Sequence, residues 1–311
     1  MGRNWYIFLK TPRFFLPSKR LHHPSPAAYN GIGDLKDERV NGVAILRVEH
    51  LRQVYQSKNG ETVALQDIDF SMEKGEFYSM VGPSGCGKST LLSIIAGMLS
   101  ATGGRVVVAG ETVQGPSSHI GYMLQQDNLL EWRTIRQNVL FGLEIRRQLT
   151  PEMCARADRL LETYGLSAFA DRHPSQLSGG MRQRAALIRT LAINPDILLL
   201  DEAFSALDYQ TRLEVTEDVY RIIKQEQVTT LMVTHDIPES ISMGDKVIIL
   251  SKRPAVIREM LPIRFAVDNR TPLTCRNQPE FGQYFNHIWK ELGMNEALKS
   301  TGAVAGENPL P

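Results

Sequence analysis

Apolar positions along the chain fall into two rhythms, short continuous or alternating runs and a three-to-four spacing, and the changes between them outline the elements. Strand-like runs from Ala44 to Val48 and from Thr62 to Phe70 flank Tyr55 and a polar turn at Ser57-Lys58-Asn59-Gly60, which predicts a small antiparallel sheet. Phe77 to Val81 reads as a buried strand and Leu91 to Leu99 as the helix that follows. Strands are also expected at Arg105 to Val108 and Ile120 to Leu124. From Thr134 to Gly165 the pattern turns helical: Ala157, Leu160, Leu161 and Tyr164 share a face, Pro151 suits a first turn and Gly165 a stop. Another helix opens at Leu177-Ser178-Gly179-Gly180-Met181 and runs through Arg182, Arg184 and Arg189 to about Ala192. Ile197 to Leu200 is a continuous apolar run of the kind buried on both faces of a parallel sheet. An amphipathic helix to about Lys224 comes next, then a strand from Thr229 to Thr234 and a hairpin of Lys246 to Leu250 with Ala255 to Glu259. Phe281, Tyr284, Phe285, Ile288 and Leu292 mark one face of a last helix ended by Gly293.

Between the buried strand and its helix lies Gly82-Pro83-Ser84-Gly85-Cys86-Gly87-Lys88-Ser89-Thr90, which fits the phosphate-cradling pattern G-x-x-x-x-G-K-[ST] at every specified position. Gly82, Gly85 and Gly87 let the backbone turn with positive φ and bring N–H groups against a polyanion at the positive end of a helix. Lys88 supplies a point charge for the β and γ oxygens, and the Ser89 hydroxyl is a hard oxygen ligand for Mg2+. A nucleoside triphosphate is the expected ligand. Cys86 is either a small tolerated side chain or a group that makes ATP binding sensitive to oxidants.

Other chemistry-bearing residues collect where strands end. Gln125 follows its strand directly, where a neutral amide can meet a metal or water. Asp201 and Glu202 end the run that begins at Ile197, at the edge where parallel strands face a ligand crevice. Asp201 suits Mg2+, and Glu202 suits polarising the attacking water. His235 ends the next strand, where an imidazole can donate to a γ-phosphate oxygen. Ser178, Gly179 and Gly180 put a cap hydroxyl and bare N–H groups at a helix start, either as an ordinary cap or as a second anion site. Tyr55 is free to stack a purine or to pack in the core. The segment from Asn128 to Ile135 sets Leu130 and Trp132 in a loop, as a docking surface or as packing beneath the next helix.

Composition acts by exclusion. A net charge of +1 over 311 residues gives no global field that would recruit nucleic acid or an anionic membrane. No apolar run approaches the roughly 20 residues that span a bilayer as a helix. The three cysteines, Cys86, Cys154 and Cys275, have no metal or redox spacing, which suits a reducing cytoplasm. Arg3, Lys10, Arg13, Lys19 and Arg20 precede the first acid at Asp34, while Trp5 to Leu9 is too short for a signal-peptide core. This stretch reads either as a loosely ordered arm or as one that touches anionic lipid.

Taken together, these pieces resemble the ATP-binding subunits of ABC transporters, from about Ile45 to about Ile263. GPSGCGKST is similar to the Walker A loop, Gln125 to the Q-loop glutamine, and LSGGM at Leu177 to Met181 to the ABC signature. LLLDE at Leu198 to Glu202 resembles the Walker B strand, Ser205 to Asp208 the D-loop, His235 the switch histidine and Tyr55 the adenine-stacking aromatic. The resemblance implies an α/β fold, a P-loop NTPase of ABC type. Its mixed sheet core would carry an antiparallel β subdomain and an inserted α-helical subdomain. ATP and Mg2+ are the implied cofactors, with Tyr55 and Gly82 through Thr90 on the nucleotide and Ser89, Gln125 and Asp201 on the metal. Glu202, His235, Gln125 and Lys88 are the implied catalytic residues. Two copies would face head to tail, so that Ser178, Gly179, Gly180 and Asp208 of each close on the nucleotide of the other.

LLEWRTIRQNV, the DYQTR after the D-loop and SKRPAVI resemble most the importer subgroup for nitrate, sulfonates, taurine and related solutes. The implied partners are integral membrane permease subunits, reached through Gln125 and Leu129 to Thr134, and indirectly an external solute-binding protein, with no nucleic acid. The implied location is peripheral, on the cytoplasmic side of the cell membrane. Met181 stands where the signature most often has Gln, and Ala203 replaces the usual Pro, which is expected to loosen the turn that aims Glu202. The expected domains are a basic-aromatic arm over 1–43 and an ATPase domain over 44–265, whose helical subdomain covers about 128–192. A C-terminal extension over 266–311 is expected to hold one amphipathic helix and a frayed tail. The competing readings are a soluble ABC-type ATPase acting on nucleic acid or ribosomes, which would need heptad arms or a second ATPase unit, and an exporter subunit.

Overall fold

The computed structural model describes residues 44–57 and 60–293. The expectations for the arm at 1–43, for Lys58 and Asn59 in the polar turn and for the tail past Gly293 lie outside the described residues. In chain order the first elements are β1 (Leu46–Ser57), β2 (Gly60–Met72), β3 (Phe77–Val81), α1 (Lys88–Ile95), β4 (Gly103–Val108), β5 (Glu111–Thr112) and β6 (Ile120–Met123). The middle of the chain holds α2 (Ile135–Ile145), α3 (Pro151–Thr163), α4 (Gly179–Ala192), β7 (Ile197–Asp201), α5 (Tyr209–Glu226) and β8 (Thr229–Val233). Then come α6 (Ile237–Met243), β9 (Lys246–Leu250), β10 (Ile257–Pro262), α7 (Pro272–Arg276) and α8 (Pro279–Glu291).

The strands form two sheets, an antiparallel one in the order β2-β1-β4-β5 and a mixed one in the order β10-β9-β3-β8-β7-β6. In the mixed sheet β9, β3, β8, β7 and β6 are parallel neighbours, and β10 adds antiparallel at the edge. Every residue of β3 and β8 is buried, as a strand covered on both faces requires. Strand alternation then sends neighbouring residues to opposite layers. Leu198 and Leu200 pack with Ile188 and Leu191 of α4, whereas Ile197 and Leu199 pack with Leu91 and Ile95 of α1 and with Leu46 of β1.

The helical stretch after Thr134 divides in two. A capping box of Thr134 with Gln137 opens α2, Arg147 takes a left-handed φ of 55°, and Thr150 caps α3 with Pro151 in its first turn. α6, between β8 and β9, and α7, past residue 265, are additions to the pattern read from sequence, which gives one helix in that last stretch. The strand expected from Ala255 begins later, because Ala255 is taken by the other sheet: its N–H donates to Ala64 O (2.9 Å) and its carbonyl accepts from Gln66 N (2.9 Å). The apolar face of α8 packs against α6 and the β9 side of the sheet, with Ile288 fully buried in one cluster with Ile241 and Ile249. Asp245 fixes this region by pairing with Arg270 and Lys224, both at 3.0 Å, and accepting from Phe77 N at 2.9 Å.

Candidate nucleotide site

Because β3, β7 and β8 run parallel, their C-terminal ends open on one edge, and polar side chains gather there. The loop after β3 needs glycine at position 87: φ is 125°, and a Cβ there would sit 2.9 Å from Leu65 Cδ2. With Gly87 as N-cap, α1 begins without any side-chain cap, so its first-turn N–H groups remain directed at the loop's concave side. Lys88 is 6% exposed, and its Nζ donates to Gly82 O (2.8 Å) and Pro83 O (3.2 Å). A buried ammonium held by neutral carbonyls beside uncapped amides suits a triphosphate. Cys86 is buried, and a Cβ added at Gly82 would meet its Sγ at 2.9 Å, so its small size serves packing.

At the end of β7, Asp201 Oδ1 accepts from Ser89 Oγ (3.2 Å) and Oδ2 accepts from Tyr122 OH (3.0 Å). Burial raises the Asp201 carboxyl above its ordinary value, against the pull of these two hydrogen bonds. Burial likewise pushes the Tyr122 phenol up, with the Asp201 charge adding to it. A carboxylate touching a hydroxyl is a hard-oxygen pair, the donor type that suits Mg2+ shared with phosphate oxygens.

Glu202 has a left-handed φ of 47°, which turns its side chain away from that of Asp201. The turn that aims it is held by Glu202 N–H to Val233 O (2.9 Å), Ser205 N–H to Glu202 O (3.1 Å) and Ser205 Oγ to Glu202 O (2.9 Å). Ala203, expected to loosen this turn, is buried within that frame. His235 Nδ1 lies 3.2 Å from Glu202 Oε2, and Gln125 Nε2 donates to Ser205 Oγ at 3.1 Å. Tyr55 OH is 3.2 Å from Thr90 Oγ1, and the side chain is too exposed, at 40%, to be core packing. A cavity of about 470 Å³ is lined by Ser84, Gly85 and the stretch from Gly87 to Thr90 together with Glu202, His235 and Arg253. Arg253 Nη2 donates to Gly85 O at 2.6 Å. Sequence reading took the SKRPAVI stretch for a hairpin and missed this cation; an Arg beside the turn Pro was the available signal.

Ser178, Gly179, Gly180 and Asp208 do not line this cavity; they share another of about 340 Å³ between α4 and α5. Ser178 Oγ caps α4 by accepting from Met181 N at 3.3 Å, and Asp208 caps α5 by accepting from Thr211 N at 3.0 Å. The Thr211 hydrogen bonds hold the Asp208 carboxyl below its ordinary range. Gly180 is the close-approach position, where a Cβ would sit 2.9 Å from Val215 Cγ2.

The segment after Gln125 is pinned by side chains to which the sequence assigned no such role. Arg189 donates to the carbonyls of Asp127 and Asn128, both at 2.7 Å, and Arg182 Nε reaches Asp127 Oδ2 at 3.1 Å. The buried amide of Asn138 accepts from Leu130 N (2.7 Å) and donates to the carbonyls of Leu130, Arg133 and Thr134 at 3.0–3.2 Å. On this frame Trp132 is 75% exposed and Leu130 half-buried, so the packing alternative fails for Trp132.

Known proteins resemble this chain in sequence and in fold. The sequence profile described as ABC transporter matches residues 65–205. The chain is 47% identical over 254 residues to the uncharacterised ABC transporter ATP-binding protein YtlC of Bacillus subtilis, covering 82% of this chain and 98% of that one. It is 39% identical to the nitrate import ATP-binding protein NrtD of Synechocystis, over 84% of this chain and 99% of the relative. Identity to the taurine import ATP-binding protein TauB of Roseobacter denitrificans is 36%, over 78% and 94%. Among solved structures, a dimeric post-hydrolysis state of the ATP-binding cassette MJ0796 bound to ADP and Pi matches with a TM-score of 0.60 and 29% identity. That match covers 71% of this chain and 99% of the other. With a phosphate loop, carboxylate pair and histidine on one sheet edge and relatives matched over nearly their whole length, the chain belongs to the ATP-binding subunits of ABC transporters and is an ATPase of that family.

Proposed function

We propose that this ATPase energises import of a small solute (nitrate, taurine, a sulfonate or a related compound) through a separate membrane permease. The observation that carries the reading is its similarity to a nitrate and a taurine import ATP-binding protein over 99% and 94% of their lengths. Trp132, exposed on the stretch clamped by Asn138 and Arg189, supports it as the contact offered to the permease. No helix among the described residues is long and apolar enough to cross a membrane, and the proposed location is peripheral on the cytoplasmic face.

In this reading ATP enters the cavity with its phosphates on Lys88 and the uncapped first-turn N–H groups of α1, and its base on Tyr55. Ser89, Asp201 and Gln125 would hold Mg2+, which supplies charge neutralisation of the phosphate oxygens. Glu202 takes the proton from the attacking water, oriented by the neighbouring His235, which donates to the terminal phosphate. Ser178, Gly179, Gly180 and Asp208 act on the ATP of a second copy, so binding joins two chains and hydrolysis parts them. Gln125 and residues 129–134 pass that motion on. The working unit is the ATPase domain over 44–265, with its helical subdomain at about 128–192.

Capture of the tagged full chain from native membranes, with solute uptake measured in a deletion strain, tests the proposal. A co-purified multi-span protein and lost uptake are expected. Loss of efflux would replace the importer by an exporter, and co-sedimentation with ribosomes or nucleic acid would overturn both.

A further inference from the structure

Arg212, in the first turn of α5, reaches across two stretches that both touch Glu202. Its Nη2 donates to Leu207 O at 2.7 Å and to Ser205 O at 3.4 Å, inside the turn that follows Glu202. Its Nη1 is 3.5 Å from Asp236 Oδ2, on the residue after His235. The turn has few backbone bonds of its own: Ser205 N–H to Glu202 O and Leu207 N–H to Phe204 O. Asp236 is itself fixed, since Oδ1 accepts from Glu239 N (2.9 Å) and its N–H donates to Thr234 Oγ1 (3.0 Å). The links therefore close into a ring: Glu202 to His235 by side chains, His235 to Asp236 by the chain, Asp236 to Arg212 to Ser205, and Ser205 back to Glu202 O at 2.9 Å. Gln125 joins the ring at Ser205 Oγ.

We propose that Arg212 is a positioning residue for hydrolysis: its guanidinium sets the distance between the turn carrying Glu202 and the strand end carrying His235. The proposal rests on the reading of Glu202 as the base. Arg212 does not line the phosphate cavity, so its influence on the nucleotide passes through the ring alone. The planar fork suits the task because it holds carbonyls and a carboxylate from one rigid group, which a lysine cannot do. The Arg212 side chain is 22% and the Asp236 side chain 25% exposed, so the contact is partly shielded from water. Freeing the two stretches would misplace the base and the histidine by an ångström or less, enough to cost roughly a hundredfold in rate without altering nucleotide contacts.

The test is ATPase kinetics on the full chain with fluorescent-nucleotide titration and thermal melting in parallel. Arg212→Met is expected to lower kcat roughly tenfold to a hundredfold with nucleotide Kd and KM unchanged, and Arg212→Lys to recover only part of the loss. Asp236→Asn keeps the cap of α6 and removes the charge; paired with Arg212→Met it should lower kcat no further than the stronger single variant. A lower melting temperature with unchanged kcat per folded molecule, a raised KM with unchanged kcat, or additive losses would each overturn the proposal. Should Glu202→Gln keep full turnover, the base assignment fails and this proposal with it. Intact dependence on Glu202 with indifferent Arg212 variants rejects the positioning role alone.

Discussion

Lys88 is a buried ammonium whose hydrogen-bond partners are the carbonyls of Gly82 and Pro83, and exchanging these for phosphate oxygens turns a neutral pairing into a charge-assisted one. Lys88→Ala should therefore lose about 1.5–3 kcal/mol of nucleotide affinity, a roughly ten- to hundredfold weaker Kd by fluorescent-nucleotide titration; an unchanged Kd would remove the lysine from the site. Glu202→Gln keeps the shape of the side chain and removes the proposed base. Turnover should fall roughly a hundredfold or more while nucleotide binding persists. At this scale much was legible in the sequence, because glycine, lysine, serine and carboxylate types at fixed spacing carry the chemistry whatever surrounds them. Arg253, Tyr122 and Arg212 were not, since each reaches the site from an element distant in sequence: Gly85 to Arg253, Asp201 to Tyr122 and Asp236 to Arg212.

Among elements, the loop over 129–134 combines an exposed tip with a buried anchor. Trp132→Ala should leave stability within about 0.5 kcal/mol and basal ATPase unchanged, yet abolish uptake; normal uptake in that variant would sink the docking role. Asn138→Ala removes the anchor and strands the Leu130 N–H and the Arg133 carbonyl, since Leu130 O and Thr134 O keep the backbone donors Arg133 N and Asn138 N, costing about 1–3 kcal/mol by chemical denaturation. A second element carries a pH effect. Glu239 in α6 is 4% exposed, and burial pushes its carboxyl up to about 7 from 4.5, against the Thr234 hydroxyl that donates to it. The native state then holds a proton that the unfolded chain releases, so stability should fall as pH rises from about 4.5 to 7, by about 1.4 kcal/mol per pH unit at the steepest. Glu239→Gln should flatten that slope in urea titrations; an identical slope would contradict the shift. The helix itself escaped sequence reading because it spans 7 residues, too few for an apolar period, and α7 with 5 escaped for the same reason. The late start of β10 depended on Ala255 pairing with the other sheet, a contact between segments far apart in the chain.

In the whole molecule, the phosphate-loop cavity and the cavity at the start of α4 are distinct, although both present helix N-termini suited to anions. The sequence pointed to both helix starts as candidate anion sites, yet nothing in a single chain says how they meet; the resemblance to ABC subunits supplied the proposed head-to-tail arrangement. One solved cassette that matches is a dimer bound to ADP and Pi, which fits two half-sites completed by a second copy. The proposed joining of two chains through ATP would also account for the distance of Ser178 and Asp208 from Lys88 in one chain. The decisive measurement is sedimentation of the Glu202→Gln chain with saturating ATP, with and without Ser178→Arg. The account predicts a dimer for Glu202→Gln, and a monomer that still binds ATP once Ser178→Arg is added. A monomer in the first case, or an undiminished dimer in the second, would contradict it.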